Sequence, residues 1–152
     1  MKVSKNVRID GLADLDKALG ELPKRTGKSV LRRVLRKAGQ PMADHAEQAA
    51  PKLTGALKIS IGVGTKLTRR QARLHRKMFK DDKASAEVFV GAGGLAQAVQ
   101  SEFGNEHQEA QPFMRPAWDS GKDQALETIK SELGGEIMKA AKRLAKKAAK
   151  GK

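Results

Sequence analysis

Leucines at positions 12, 15, 19 and 22 recur every three or four residues, which predicts a short amphipathic helix over 14–22 that Pro23 stops. Before it, residues 3–9 alternate enough for a weak strand that Gly11 ends. A longer helical stripe follows through Leu31, Leu35 (with Val34), Ala38, Met42, Ala46 and Ala49, with Thr26 as its N-cap. Lys28, Arg32, Arg33, Arg36 and Lys37 cover its other faces. Pro41 lies inside this pattern and cannot donate back to residue 37, so a kink or break near Gly39 is expected. Pro51 closes the element.

Then the period drops to two. Leu57, Ile59, Ile61 and Val63 alternate with Lys58, Ser60, Gly62 and Gly64, which predicts a half-buried strand. A second strand is predicted over 85–91, with Ala86, Val88 and Val90 on one face, broken by the glycines at 91, 93 and 94. The segment 66–83 between them is dense in Arg and Lys. It reads as an extended hairpin tip, a disordered loop or a short helix through Leu67, Leu74 and Met78; a mobile hairpin loop with some helix is the reading adopted. Residues 95–103 are apolar enough to pack, and 104–111 are a polar loop. A last helix starts with Pro116 as its first residue and runs through Trp118, Ala125, Ile129, Leu133, Ile137, Ala141, Leu144 and Ala148. A bend is expected at Gly134-Gly135, and fraying near the end, where Lys142, Arg143, Lys146, Lys147 and Lys150 meet no acid.

These elements give an α+β fold: a small antiparallel sheet packed against a long helix in the N-terminal half and a long C-terminal helix. A chain of 152 residues fits one domain. We place it at 1–138, with 66–83 as a basic insert and 139–152 as a Lys-rich helix end that frays.

Charge changes the picture more than length does. The net charge is +14, a field that attracts nucleic acid, anionic membrane or acidic protein. Yet only five residues are Phe or Trp and none is Tyr, so a base-stacking platform can hardly be built, and any nucleic-acid contact would fall on phosphate. Arg69, Arg70, Arg73, Arg76 and Lys77 in the insert, with Lys142, Arg143, Lys146 and Lys147 near the end, are the candidate anion or DNA contacts. No apolar run is long enough for a bilayer, residues 1–10 lack the apolar core of a signal peptide, and few bulky apolar residues follow Leu144 to hold a membrane surface.

Catalytic patterns are missing. The chain has no Cys, and His45, His75 and His107 lack metal-ligand spacing, so solvated histidines are the plainer reading and no metal or cofactor is expected. The 91–94 glycines lack the Gly-Lys-Ser/Thr ending of a phosphate loop. Asp81-Asp82 and Glu102, Glu106 and Glu109 read as exposed charges. No helix-turn-helix or RNA-binding aromatic motif is visible.

Two segments combine rigidity with apolar anchors. In 50–57, Pro51 ends a helix, Thr54 can bond the local backbone, and Gly55 permits a positive φ ahead of Leu57. In 102–118, Glu102-Phe103-Gly104 precedes Pro112-Phe113-Met114-Arg115-Pro116, and the two prolines would leave Phe113, Met114 and Trp118 displayed at a helix start. These aromatics either pin the last helix to the sheet or serve an interface.

Read in order, Ala-Pro-x-x-Thr-Gly-x-Leu-x-x-Ser-Ile (50–61), Val-Gly (90–91), Glu-Phe-Gly (102–104) and Pro-Phe-Met-Arg-Pro-Ala (112–117) resemble the neck, or tail-completion, proteins of long-tailed phages. The resemblance covers about residues 10–135. It implies a small, non-catalytic α+β subunit of the virion, assembled in the host cytoplasm. Such a subunit forms a homo-oligomeric ring in the particle, between head-closure and tail-terminator layers, and is a monomer in solution. It maps the architectural and interface positions onto Pro51, Thr54, Gly55, Leu57, Glu102, Phe103, Gly104, Pro112, Phe113, Arg115 and Pro116, to which the residues themselves add Trp118. The alternative is a basic architectural nucleic-acid-binding protein.

Overall fold

The computed structural model describes residues 11–52, 55–80 and 86–151. The expected strand over 3–9, the Thr54 turn, Asp81-Asp82 and the start of the second strand at Ser85 lie outside these.

Eight elements follow one another: α1 (Leu12–Gly20), α2 (Lys24–Ala49), α3 (Ala56–Ser60), β1 (Gly62–Gly64), α4 (Arg69–Met78), β2 (Phe89–Gly91), α5 (Ala96–Phe103) and α6 (Met114–Lys150). The fold is α+β, as the pattern of elements implies.

α2 and α6 are the frame. Arg33 pairs with Glu136, Lys37 with Glu132, and His45 Nδ1 lies 3.3 Å from Ser120 Oγ, so residue numbers rise on one helix as they fall on the other and the pair is antiparallel. Two apolar clusters sit at opposite ends of this frame. In one, Leu15, Ala18 and Leu22 close over Val30 and Val34 of α2 and over Leu133, Ile137, Ala140 and Ala141 of α6. In the other, Ala46, Ala50, Leu57 and Ala92 pack with Phe113 and Ala117.

Several local expectations change. α2 begins at Lys24, with Pro23 rather than Thr26 in the N-cap position. The Pro23 carbonyl accepts from the amides of Thr26 (2.8 Å) and Gly27 (3.0 Å), while Pro23 itself has no amide to satisfy. Its buried stripe runs through Val30 and Val34, one residue round from Leu31 and Leu35, which are half-buried, and Ala49 is exposed. The helix continues through Pro41, because Ala38, Gly39, Met42 and Ala43 around it are all buried and hold the backbone in place of the lost hydrogen bond. α6 likewise runs unbroken through Gly134-Gly135, held by buried Leu133 and Ile137, and extends to Lys150 instead of ending early. Pro116 is its third residue, not its first.

The largest change is at 57–63. The seven-residue strand is replaced by the five-residue helix α3 and only then by a three-residue strand. Gly55, at φ +73°, turns the chain into α3, and its carbonyl accepts from the Ile59 amide at 3.1 Å. Ser60 Oγ donates to the carbonyls of Leu57 (2.7 Å) and Ala92 (3.2 Å). Leu57 is thereby buried while Ile59 is 87% exposed, so the two do not share a face. β1 and β2 pair antiparallel, with Val63 opposite Val90. The sheet lies directly on α2 at Gly39, where a Cβ would stand 3.0 Å from Val90 Cγ2 and 3.4 Å from Val63 Cγ1. In the stretch expected as a mobile hairpin loop with some helix, the helix is α4, ten residues long.

Candidate functional site

α6 begins on a carboxylate supplied by another helix. Glu102, in the last turn of α5, is 5% exposed. Its Oε2 accepts from the backbone amides of Phe113 (2.8 Å) and Met114 (2.9 Å), and its Oε1 from the amide of Arg115 (3.0 Å) and from Arg115 Nε (3.1 Å). Arg115 Nη2 also donates to the Glu102 carbonyl at 3.2 Å. A helix start leaves its first amides without intrahelical partners. Here one carboxylate satisfies three of them, and the next residue, Pro116, has no amide. The negative charge also meets the positive end of the helix dipole. Burial pushes the Glu102 carboxyl up, but the amides of Met114, Phe113 and Arg115 and the Arg115 side chain together outweigh it and hold the group below its ordinary value. Glu102 is therefore a buried cap, not the exposed charge expected of it; Glu106 and Glu109 are exposed.

The intervening loop is threaded through Gly104. Its φ is +76°, and a Cβ there would stand 2.8 Å from the Ala110 amide nitrogen and 3.0 Å from the Gln108 carbonyl. Only glycine fits both demands. The Gln111 amide then donates to the Ser101 carbonyl at 2.7 Å, bringing the chain back beside α5.

Phe113 is completely buried, in contrast to the display expected from its flanking prolines. With Glu102 holding its amide, its ring enters the cluster of Leu57, Ala50 and Ala117. Pro51 is half-buried just past the end of α2, and Pro112 and Pro116 are exposed. Ala50, Leu57, Ala92, just past β2, and Phe113 and Ala117 thus share one apolar cluster, and Glu102 holds the Phe113 amide at its edge. The three aromatics of the second segment do not join each other: Phe103 and Trp118 point outward, 66% and 59% exposed.

Phe103 belongs instead to an open groove of about 750 Å³ between α4 and α5, lined by Leu74, Leu95, Val99, Phe103 and Met114. Val99 is 61% exposed, and the Arg115 guanidinium lies 5.2 Å from the centre of the Phe103 ring. α4 forms the other wall because Thr68 caps it: Thr68 Oγ1 accepts from the Gln71 amide while the Gln71 side chain reaches back to the Thr68 amide. Gln71 Nε2 also donates to the Gly93 carbonyl at 2.6 Å, which fixes α4 against the turn before α5. On the inner side His75 sits edge-on to Phe89, 5.3 Å between centroids. The sequence reading missed Val99 and this capping box, although Thr68-x-x-Gln71 is a legible signal.

Arg69, Arg70, Arg73, Arg76 and Lys77 are exposed on α4, and Lys142, Arg143, Lys146 and Lys147 are exposed on the last turns of α6; no ion pair involves any of them among the described residues. Among the described residues no three His, Asp or Glu side chains gather as metal ligands, and no helix is long and apolar enough to cross a membrane.

Residues 13–104, more than half of the chain, match the family model of the HK97-gp10-like proteins, described as "Bacteriophage HK97-gp10, putative tail-component". The chain belongs to the HK97-gp10-like family. No curated protein and no solved structure matches it. Membership gives the chain a structural role as a component of a phage tail. The matched region takes in α1 to α5, the groove's two walls and Glu102, and ends just before the segment that Glu102 caps.

Proposed function

We propose that this HK97-gp10-like chain is a neck subunit that completes the join between phage head and tail without catalysing a reaction. Copies close into a ring between the head-closure and tail-terminator layers, in the virion, after assembly in the host cytoplasm. Before it meets that platform the subunit is a monomer. The observation that supports this reading is that the 50–61 and 112–117 blocks share the cluster around Phe113, which Glu102 of the third block holds by its amide, with the apolar α4–α5 groove directly outside it. A rigid corner carrying exposed Phe103 and Val99 suits a heterologous contact, the kind that closes rings. Basic surfaces suit steering toward acidic neighbours, an effect that salt weakens.

Phe103 is the residue to test, because it is exposed and its replacement leaves the core intact. Phe103→Asp is expected to melt like the wild type and to remain monomeric. In a phage carrying only that variant it should be missing from purified particles, with heads and tails left unjoined. Wild-type incorporation of Phe103→Asp would refute the interface. A second reading, a basic architectural nucleic-acid-binding protein, draws on the net charge of +14 and the basic sets on α4 and α6. It requires that duplex binding survive physiological salt in the isolated chain.

A further inference from the structure

Half of the first fourteen residues of α2, positions 24–37, are Lys or Arg. The fold divides them. Arg33 and Lys37 turn toward α6 and pair with Glu136 and Glu132. Arg25, Lys28, Arg32 and Arg36 follow one another at spacings of three and four, which sets them in a single stripe along the helix, with Arg33 at its edge. All four are exposed, and none takes part in an ion pair among the described residues.

The stripe lines a groove of about 560 Å³ together with Arg33, Ser29 and, from the chain just beyond β1, Thr65. The sheet closes one end. Gly39, three residues past Arg36 and so on the same side, lies under Val63 and Val90. From there the stripe runs out toward the start of α2, about 16 Å from Arg36 to Arg25 at the ordinary helical rise. The antiparallel register brings the exposed Lys142, Arg143 and Lys146 of α6 to the same end of the frame. Like charges three and four apart on one helix oppose the free fold by a few tenths of a kcal/mol per pair. A polyanion laid along the stripe reverses that sign.

The lining says which polyanion. Among the described residues no apolar or aromatic side chain contributes to the groove. A docking site for an acidic protein would carry an apolar or aromatic centre. Arg, Lys, Ser and Thr side chains are the set that contacts phosphate oxygens. The described lining offers no aromatic ring, the usual platform on which unpaired bases stack. We propose that the α2 groove binds the phosphate backbone of duplex DNA, without regard to sequence. This surface is separate from the α4–α5 groove, and the inference stands or falls independently of the head-to-tail reading.

The test uses the full chain, a labelled duplex of arbitrary sequence and fluorescence anisotropy between about 50 and 200 mM salt. Arg25, Arg32 and Arg36 are changed together to Gln; a second variant changes Arg69, Arg73 and Lys77, also exposed, at helical spacing and equal in charge. Each lost phosphate contact lowers the slope of log K against log salt by about 0.9, so the α2 variant should lose roughly three units of slope and the α4 variant less than about one. Replacing the three α2 arginines by Lys should keep the slope, and thermal melts check that every variant is folded. Equal losses in both Gln variants would mean that net charge alone acts, and would overturn the proposal. So would an α2 variant that binds like the wild type. A poly-glutamate peptide that needs the three arginines, beside duplex binding that does not, would reassign the groove to an acidic protein and equally overturn it.

Discussion

Removing the Glu102 carboxylate should destabilise the protein far more than removing its visible ionic partner. In Glu102→Ala the amides of Phe113, Met114 and Arg115 lose their acceptor together. An unsatisfied buried donor costs about 1–3 kcal/mol. The Phe113 bond is buried and those of Met114 and Arg115 are part-buried, so water can rescue the second and third amides in part and the first not at all. The sum is about 3–4 kcal/mol, a fall in Tm of roughly 10 °C for a chain of this size. Glu102→Gln keeps one acceptor oxygen and turns an NH2 group toward the remaining donors, so it should cost about 2 kcal/mol. Arg115→Ala leaves all three amides satisfied and removes an ion pair whose arginine is largely exposed, for about 0.5–1 kcal/mol.

Thermal and urea melts followed by circular dichroism order the three variants. The acid limb adds a second check. The folded Glu102 carboxyl lies below its ordinary value of 4.5, so its contribution is complete above that pH and is lost as pH falls through the lower folded value. Glu102→Gln should therefore be less stable than wild type near neutrality and converge on it in acid. If Glu102→Ala costs no more than Arg115→Ala, the carboxylate serves only the arginine, and the account of the α6 start is wrong.

Other perturbations separate strain, packing and screening. Gly55→Val should lower stability by about 1–2 kcal/mol while Gly55→Asn stays near wild type, because φ is +73° and, chain neighbours aside, no described residue lies within 4 Å of the added Cβ; equal melts for the two would remove backbone conformation as the cause. Phe113→Ala should cost about 3–5 kcal/mol in urea melts, as deletion of a fully buried ring does, and a near-native midpoint would show the second cluster to be dispensable. The Glu136 carboxyl is also held low, first by the Lys139 hydrogen bond and also by Arg33, in ion pairs whose cations are exposed. Molar salt should weaken this part of the acid limb and leave the part due to buried Glu102, as seen by comparing Glu136→Gln with Glu102→Gln across salt.

The long helices were legible because a period of 3.6 over many residues has few competing explanations, and α1, α2 and α6 follow from it. Phase was harder. Both Val30/Val34 and Leu31/Leu35 fit the α2 stripe, and contact with α6 chose the valines. Alternation over 57–63 misled because a single helical turn can present apolar residues two apart; Gly55 at its start and the two Ser60 hydrogen bonds decide for helix, and the second of these joins residues 32 apart in sequence. Pro23 looked only like a stop signal, yet its carbonyl also starts the next helix. The cap on α6 was least visible of all. Glu102 and its amides are 11–13 residues apart, so neither the exposed-charge reading of the acid nor the displayed reading of Phe113 could be corrected locally.

These corrections bear on how a joining subunit would hold its shape. A docking face transmits position only if it is fixed to the rest of the chain, and two short strands give little fixing. Glu102 supplies it here by tying the end of α5 to the start of α6, while the neighbouring Phe103 stands in the groove beneath Arg115. The same arginine touches the buried carboxylate and the exposed ring, so the face and the cap share a side chain. At the far end of the α2–α6 frame the apolar cluster around Val30, Val34 and Ile137 needs no such device, because three helices close it by burial alone. The acidic cap thus stands at the end of the frame whose apolar cluster is the smaller of the two, where a carboxylate and three amides add to what burial supplies.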